Sequence, residues 1–246
     1  MRAEAPAKIN LALAVGPIRP DGNHEVVTVL QRVDLSDTIE LEPSEELRVE
    51  GFPEDTLVRS ALEALATAAR VEPLWAARIE KQIPVAAGLG GGSSDAATAL
   101  RLANASLADP LSPEALHEIA RTLGADVPFF LTPGPQLGTG DGSTLEPLRL
   151  PQDYGVLLVL PTGAEKESTA AVYARFDAAD GFPERRDRVL AVVKAATAPR
   201  DLTGLLQNDL ASSPLADELI AAGAFRADVS GAGPVVYGLF DDGTAA

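Results

Sequence analysis

Cysteine is absent from this chain. That excludes disulfide staples, a thiolate nucleophile and a cysteine metal centre, and it suits a reducing cytoplasm. Lysine is scarce too, with only Lys8, Lys81, Lys166 and Lys194. Lys and Arg total 20 against 36 acidic residues, for a formal net charge of −16, which argues against nucleic acid or an anionic membrane as partner. No apolar run approaches membrane-spanning length, and Val156-Leu-Leu-Val-Leu160 reads as a buried strand. The start, Met1-Arg-Ala-Glu-Ala-Pro6, lacks the apolar stretch of a secretory signal, so a cytoplasmic protein is expected. What remains is ordinary globular material. With 246 residues, 46% hydrophobic and 23% charged, the chain can fill one large domain or two modest ones. Nothing in it fixes an oligomeric state.

The densest information lies in Pro84-Val85-Ala86-Ala87-Gly88-Leu89-Gly90-Gly91-Gly92-Ser93-Ser94. Glycines reach backbone conformations closed to other residues and let the main chain approach a ligand closely. Before them, Ala77 to Ile83 alternates like a strand; after them, Asp95 to Asn104 reads as an alanine-rich helix. A strand, a glycine loop and a helix mouth with unpaired N–H groups form a cradle for anions, most simply the phosphates of a nucleotide. The competing reading is a plain turn with Ser93 or Ser94 as N-cap. The loop is not a Walker motif, because no lysine follows the glycines, and no acidic strand end about 20 residues on completes a dinucleotide fingerprint. His-Arg-Asp and Asp-Phe-Gly are missing, which excludes the protein-kinase pattern. In so acidic a chain, backbone N–H groups and a bound Mg2+ have to carry a nucleotide's phosphate charge locally. No residue pattern names the metal's ligands.

Along the rest of the chain, Lys8–Val15 and Glu25–Asp34 are extended stretches with a turn at Arg19–Asn23, and Thr38–Glu42 and Glu46–Glu50 read as short separate strands. Helices are expected over Leu57–Arg70, from Ser112 and Pro113 to Gly124, near Glu167–Arg175, and over Asp187–Thr197 and Leu215–Ala222. A strand is expected at Val235–Phe240. The pattern gives two α+β units divided near Leu150, with no internal repeat. His117, mid-helix beside Glu118, reads as a surface residue.

The glycine loop, Pro6-Ala-Lys8-Ile-Asn10-Leu11, Leu123-Gly-Ala-Asp126-Val-Pro-Phe-Phe130, Asn208-Asp-Leu210 and Ser230-Gly231-Ala-Gly233-Pro234 occur in the order found in the GHMP small-molecule kinases, which the chain resembles from its start to about Phe240. That resemblance implies an α+β, two-lobed GHMP-kinase-like fold. Its N-terminal lobe, 1–150, is ribosomal-protein-S5-like and binds ATP. Its C-terminal lobe, 151–246, is ferredoxin-like, binds the acceptor and looks truncated beside the family. The doubled glycine before the serines points to the branch whose small-molecule substrate is a cytidine diphosphate-linked methylerythritol. The resemblance implies that Asp126 takes the acceptor hydroxyl's proton and that Lys8 stabilises the developing charge. It places ATP, with Mg2+, on Lys81 and residues 84–94, and the acceptor on Asn10, His24, Tyr173, Gly231 and Gly233. Without it, Lys8 reads as snorkelling to solvent, Asp126 and His24 as turn residues, and Asn10 equally well as a strand-edge hydrogen bonder.

Three departures mark the chain. Asn23 stands where the family has a tyrosine, so one aromatic face for cytosine is missing and Tyr173 is left as a single stack. Thr56 replaces an asparagine expected near adenine. The chain ends at Ala246, before the helix and closing strand that family members carry, so an open sheet edge is expected. Two alternatives stay open: a GHMP kinase for another alcohol, and a non-catalytic nucleotide-binding homologue.

Overall fold

Two strands, β1 (Arg2–Ile18) and β2 (His24–Pro43), pair with each other and run far beyond the segments their patterning suggests. The expected break between Asp34 and Thr38 does not occur. Asp37, wholly buried, sits within β2 and accepts from the backbone N–H groups of Gln82 and Ile83. A carboxylate supplied with donors this way need not interrupt a strand. The turn at 19–23 closes as expected, Arg19 N–H donating to Asn23 O at 2.7 Å and Gly22 at a φ of 86°.

The computed structural model describes residues 1–52, 57–162, 169–174, 176 and 181–241, with backbone alone at 169 and 170. Thr56, the first residues of the helix expected near Glu167, and residues 242–246 lie outside the described residues. The chain continues through β3 (Arg48–Glu50), α1 (Leu57–Ala69), β4 (Trp75–Glu80), α2 (Gly91–Ser106) and α3 (Pro113–Leu123). Then follow β5 (Gln136–Gly140), β6 (Thr144–Pro147), β7 (Tyr154–Val159), α4 (Thr169–Ala174), α5 (Phe182–Ala195), α6 (Pro214–Ala221), β8 (Arg226–Val229) and β9 (Val236–Asp241). Among the described residues, no helix is long and apolar enough to cross a membrane.

The chain divides into two compact units. One holds 1–7, 33–85 and 90–133; the other holds 8–32, 86–89 and 134–246. In the first, β4 lies between β3 and the end of β2, Ile39 opposite Ile79 and Leu41 opposite Ala77. α1 packs on α2; Ala61, Leu62 and Leu65 of the first and Ala96, Ala99 and Leu100 of the second are all wholly buried. Small residues on α2 permit that approach. α3 starts as its sequence predicts: Ser112 Oγ caps Ala115 N–H, Pro113 opens the first turn, and Gly124 ends it.

In the second unit, β5 pairs with the start of β2 and with β6, and β7, β9 and β8 form a separate sheet in that order. α6 packs on that sheet through Leu219, with Ala227, Val229 and Val236 beneath. The guanidinium of Arg226, buried, donates to the carbonyls of Leu11, Leu205 and Leu206 at 2.7 to 2.8 Å. The stretch expected to be a buried strand is β7, which is half-exposed instead, Leu157 by 36% and the following Leu160 by 49%. It lies at the edge of its sheet, so its apolar composition reports strand propensity more than burial.

Candidate functional site

In the second unit, β1 delivers Lys8 and Asn10 to the interior, where they are exposed by only 4% and 5%. The Lys8 ammonium donates to Asn10 Oδ1 at 2.7 Å, and Asn10 Nδ2 donates to Thr28 Oγ1 at 2.8 Å. Lys8 is therefore not a snorkelling side chain; its charge is buried. Residues 86–89 of the glycine loop are fastened beside it. Lys8 N–H donates to Leu89 O at 2.9 Å, the Ser230 hydroxyl donates to Gly88 O at 2.9 Å, and Val235 N–H donates to Ala87 O at 3.3 Å. Gly88 has a φ of 80°, and a Cβ there would lie 2.0 Å from Ser230 O. No other residue fits.

Gly231 and Gly233 belong to the turn that follows β8, with φ values of 56° and 79°. A Cβ on Gly231 would come within 3.4 Å of both Lys8 Nζ and Asn10 Oδ1. Asn208 holds this turn, its Nδ2 donating to Val229 O at 3.0 Å and Gly231 O at 2.6 Å. Lys8, Asn10, Gly88 and Gly231 are thus brought together.

In the first unit, α2 begins at Gly91 after Gly90 in a left-handed conformation. Its first internal hydrogen bond runs from Ser94 N–H to Gly90 O at 2.9 Å. The N–H groups of Gly91, Gly92 and Ser93 precede that bond, at the positive end of the helix dipole. A Cβ on Gly92 would meet only Leu57 Cδ1, at 3.6 Å, so the space over it is open. Ser94 Oγ and Asp95 Oδ1 are buried and have no hydrogen-bond partner among the described residues.

Lys81 bridges Asp37 and Asp95, the latter at 2.7 Å, and its ammonium would lie 3.3 Å from a Cβ on Gly91. Burial pulls the Lys81 pKa down, yet its two carboxylate partners outweigh that and raise it. Burial pushes Asp95 up to about 7, against the pull of Lys81. A single ammonium shared by two buried carboxylates leaves the second of them short of positive charge. The family resemblance marks Lys81 but not Asp37 or Asp95; an acid between two expected strands and one near a helix start both look ordinary.

Asp126 is half-buried in the turn between α3 and a 3-10 turn at Pro128–Leu131, whose Phe129 and Phe130 are buried edge to face at 5.0 Å. Lys8 belongs to the second unit and Asp126 to the first. His117 is not a bare surface residue: it is half-buried, with Nε2 3.2 Å from Thr132 Oγ1. Among the described residues no three or more His, Asp or Glu side chains gather as a metal cage.

His24 lies at the start of β2 with Nδ1 2.8 Å from Gly16 O. A carbonyl only accepts, so Nδ1 carries the proton and Nε2 of the neutral ring is an acceptor. Tyr173 stands 5.6 Å from the His24 ring, and Phe176 packs edge-on at 5.9 Å. Sequence patterning does not mark Phe176 as a site residue, although its place three residues after Tyr173 is an available signal. It gives the cluster a second aromatic ring beside Tyr173, which the sequence offers as the only one.

Residues 56–134 match the GHMP kinases N terminal domain family. Together with the clamped glycine loop at a helix mouth, that defines a small-molecule kinase of the GHMP class. The chain is 40% identical over 259 residues to the 4-diphosphocytidyl-2-C-methyl-D-erythritol kinase of Geobacter sp. (strain M21), covering 98% of this chain and 90% of that protein. Against the enzyme of the same name from Salinibacter ruber it is 39% identical, covering 99% and 91%. A crystal structure of 4-(cytidine 5'-diphospho)-2C-methyl-D-erythritol kinase superposes with a TM-score of 0.77 at 32% identity, over 97% of this chain and 90% of that one. The chain belongs to the 4-diphosphocytidyl-2-C-methyl-D-erythritol kinase family.

Proposed function

We propose that this protein transfers the γ-phosphoryl group of ATP to the 2-hydroxyl of 4-diphosphocytidyl-2-C-methyl-D-erythritol, in the cytoplasm, with ATP assigned to residues within 1–150 and the acceptor's cytidyl end drawing on 151–246. The observation that carries the reading is the glycine loop. Its front half is fastened by Lys8, Ser230 and Val235, and its back half opens α2 with N–H groups ahead of the first helical bond. Such a helix mouth takes phosphate without needing excess positive charge, which this acidic chain does not have.

Phosphoryl transfer asks mainly for positioning and charge stabilisation. In this reading the N–H groups of Gly91, Gly92 and Ser93 bind phosphate oxygens, and Pro84, Val85 and Ala86 lead into the loop. Lys81 secures both ends of the loop through Asp37 and Asp95 and offers its remaining N–H toward the nucleotide. Asp126 accepts the proton of the attacking hydroxyl, and Lys8 stabilises negative charge on that oxygen and on the group in flight. The acceptor attacks ATP directly, with no covalent enzyme intermediate. The ligand types at Ser94 Oγ and Asp95 Oδ1, a hydroxyl and a carboxylate oxygen both buried without partners among the described residues, suit Mg2+. When bound, Mg2+ neutralises phosphate charge.

At the acceptor's other end, His24 Nε2 accepts from the cytosine amino group, while Tyr173 and Phe176 supply aromatic surface for the ring. Gly231 and Gly233 leave room for the methylerythritol beside Asn10. Phe176 bears on the alternative of a different alcohol, because it supplies aromatic surface that the substitution at Asn23 removes. ADP release measured with the cytidyl substrate, mevalonate, homoserine and galactose tests the assignment. Turnover is expected with the first alone. ADP release with another of these alcohols, or with none while ATP still raises the melting temperature, would overturn it.

A further inference from the structure

The side-chain amide of Asn10 has its orientation fixed from behind. The Thr28 hydroxyl donates to Ala12 O at 2.8 Å, and a carbonyl can only accept. With its one proton committed, Thr28 Oγ1 can only accept from Asn10, so the amide turns its nitrogen to Thr28 at 2.8 Å and its oxygen to the Lys8 ammonium at 2.7 Å. Inverted, the same amide would aim two N–H groups at a buried cation. Thr28 is itself locked: it lies opposite Gly138 in the β2–β5 register, and its methyl would be 2.9 Å from a Cβ at that position. All three side chains are buried, Thr28 by all but 4%, so water does not replace the relay.

From this relay we propose that Thr28 is a positioning residue for phosphoryl transfer, acting through Asn10 to hold the Lys8 ammonium in place. Asn10 is suited to that task because its oxygen is a neutral acceptor. An aspartate would hold Lys8 equally well but cancel the charge that transfer requires. The Asn10 amide then serves the ammonium rather than the acceptor alcohol. The proposal rests on the reading of Lys8 given above.

The test is a set of steady-state measurements with ATP and the cytidyl acceptor. Thr28→Val, which keeps shape and removes the hydroxyl, is expected to lower kcat by roughly 10- to 100-fold with KM for ATP within about twofold, the scale of a small misplacement of a catalytic group. Thr28→Ser is expected to return kcat to within about threefold of the parent. In an Asn10→Ala background, Thr28→Val is expected to change kcat no further, because its route of action is already gone. A loss of the same factor in both backgrounds would overturn the proposal, as would a Thr28→Val enzyme with normal kcat. If Thr28→Val does not fold, Thr28→Ala against Thr28→Ser isolates the hydroxyl and is read the same way. Lys8→Met separates the two layers. Normal turnover there overturns the reading of Lys8 itself, whereas an inactive Lys8→Met beside a fully active Thr28→Val overturns only the role of Thr28.

Discussion

The hydroxyl of Ser230 donates to the carbonyl of Gly88 at 2.9 Å, joining residues 142 positions apart in the chain. The contact is possible because Gly88 has no side chain; a Cβ would lie 2.0 Å from Ser230 O. The turn that ends β8 and the first half of the glycine loop are therefore packed backbone against backbone.

Gly88 and Gly92 are expected to differ when changed to alanine. Gly88→Ala combines a left-handed φ of 80° with a backbone clash and is expected to destabilise the fold by roughly 2 kcal/mol or more. Gly92→Ala meets only Leu57 at 3.6 Å and should leave the melting temperature within a degree or two. It should nevertheless raise KM for ATP about tenfold or more, because its methyl occupies the space a phosphate oxygen needs. Thermal melts and ATP titrations of the two variants check this. A Gly92→Ala enzyme with unchanged ATP affinity would contradict the phosphate assignment.

Asp95 makes a pH-dependent contribution to stability. Burial raises its folded pKa from 3.8 to about 7, so the folded state holds a proton that the unfolded chain releases near pH 4. Its contribution is full below that lower value and is lost as pH rises through about 7. Asp95→Asn keeps the neutral form at every pH. The parent is therefore expected to lose stability relative to Asp95→Asn between pH 5 and pH 8, read as the difference between two melting curves. A difference that stays flat across that range would remove the assignment.

Much of this site is legible in the residues themselves, because glycines, caps and turns act locally. The glycine loop, the Ser112 cap and the turn at 19–23 each depend on a few adjacent residues; the cap and the turn appear where their patterns place them, while α2 already begins at Gly91, ahead of the expected Asp95. What escapes such a reading depends on partners distant in sequence. Asp37 falls in the gap expected between two strands, and only Gln82 and Ile83, donating from 45 and 46 residues away, let the strand run through it. Thr28 is one β-branched residue among several in an apolar strand, and only the register against Gly138 and the neighbouring Asn10 give it a function. Leu157 and Leu160 depart from the expected burial for the related reason that edge position is a property of the sheet, not of the strand.

Phe176 is expected to matter for the acceptor and not for ATP. Phe176→Leu keeps apolar bulk beside His24 and loses the ring, so KM for the cytidyl substrate should rise about three- to tenfold, the usual scale of an aromatic contact. kcat and KM for ATP should hold within about twofold. Equal effects on both substrates would place Phe176 in the packing of the unit and not against the base.

The reading as a whole stands on Asp126 as the base for the attacking hydroxyl, and Asp126→Asn addresses it with least disturbance because shape is kept and only basicity is lost. The decisive measurement is kcat of that variant beside its ATP affinity, both at neutral pH. A fall in kcat of roughly 10²- to 10⁴-fold with ATP binding within about twofold of the parent is the expected result. Turnover at the parent's rate would contradict it.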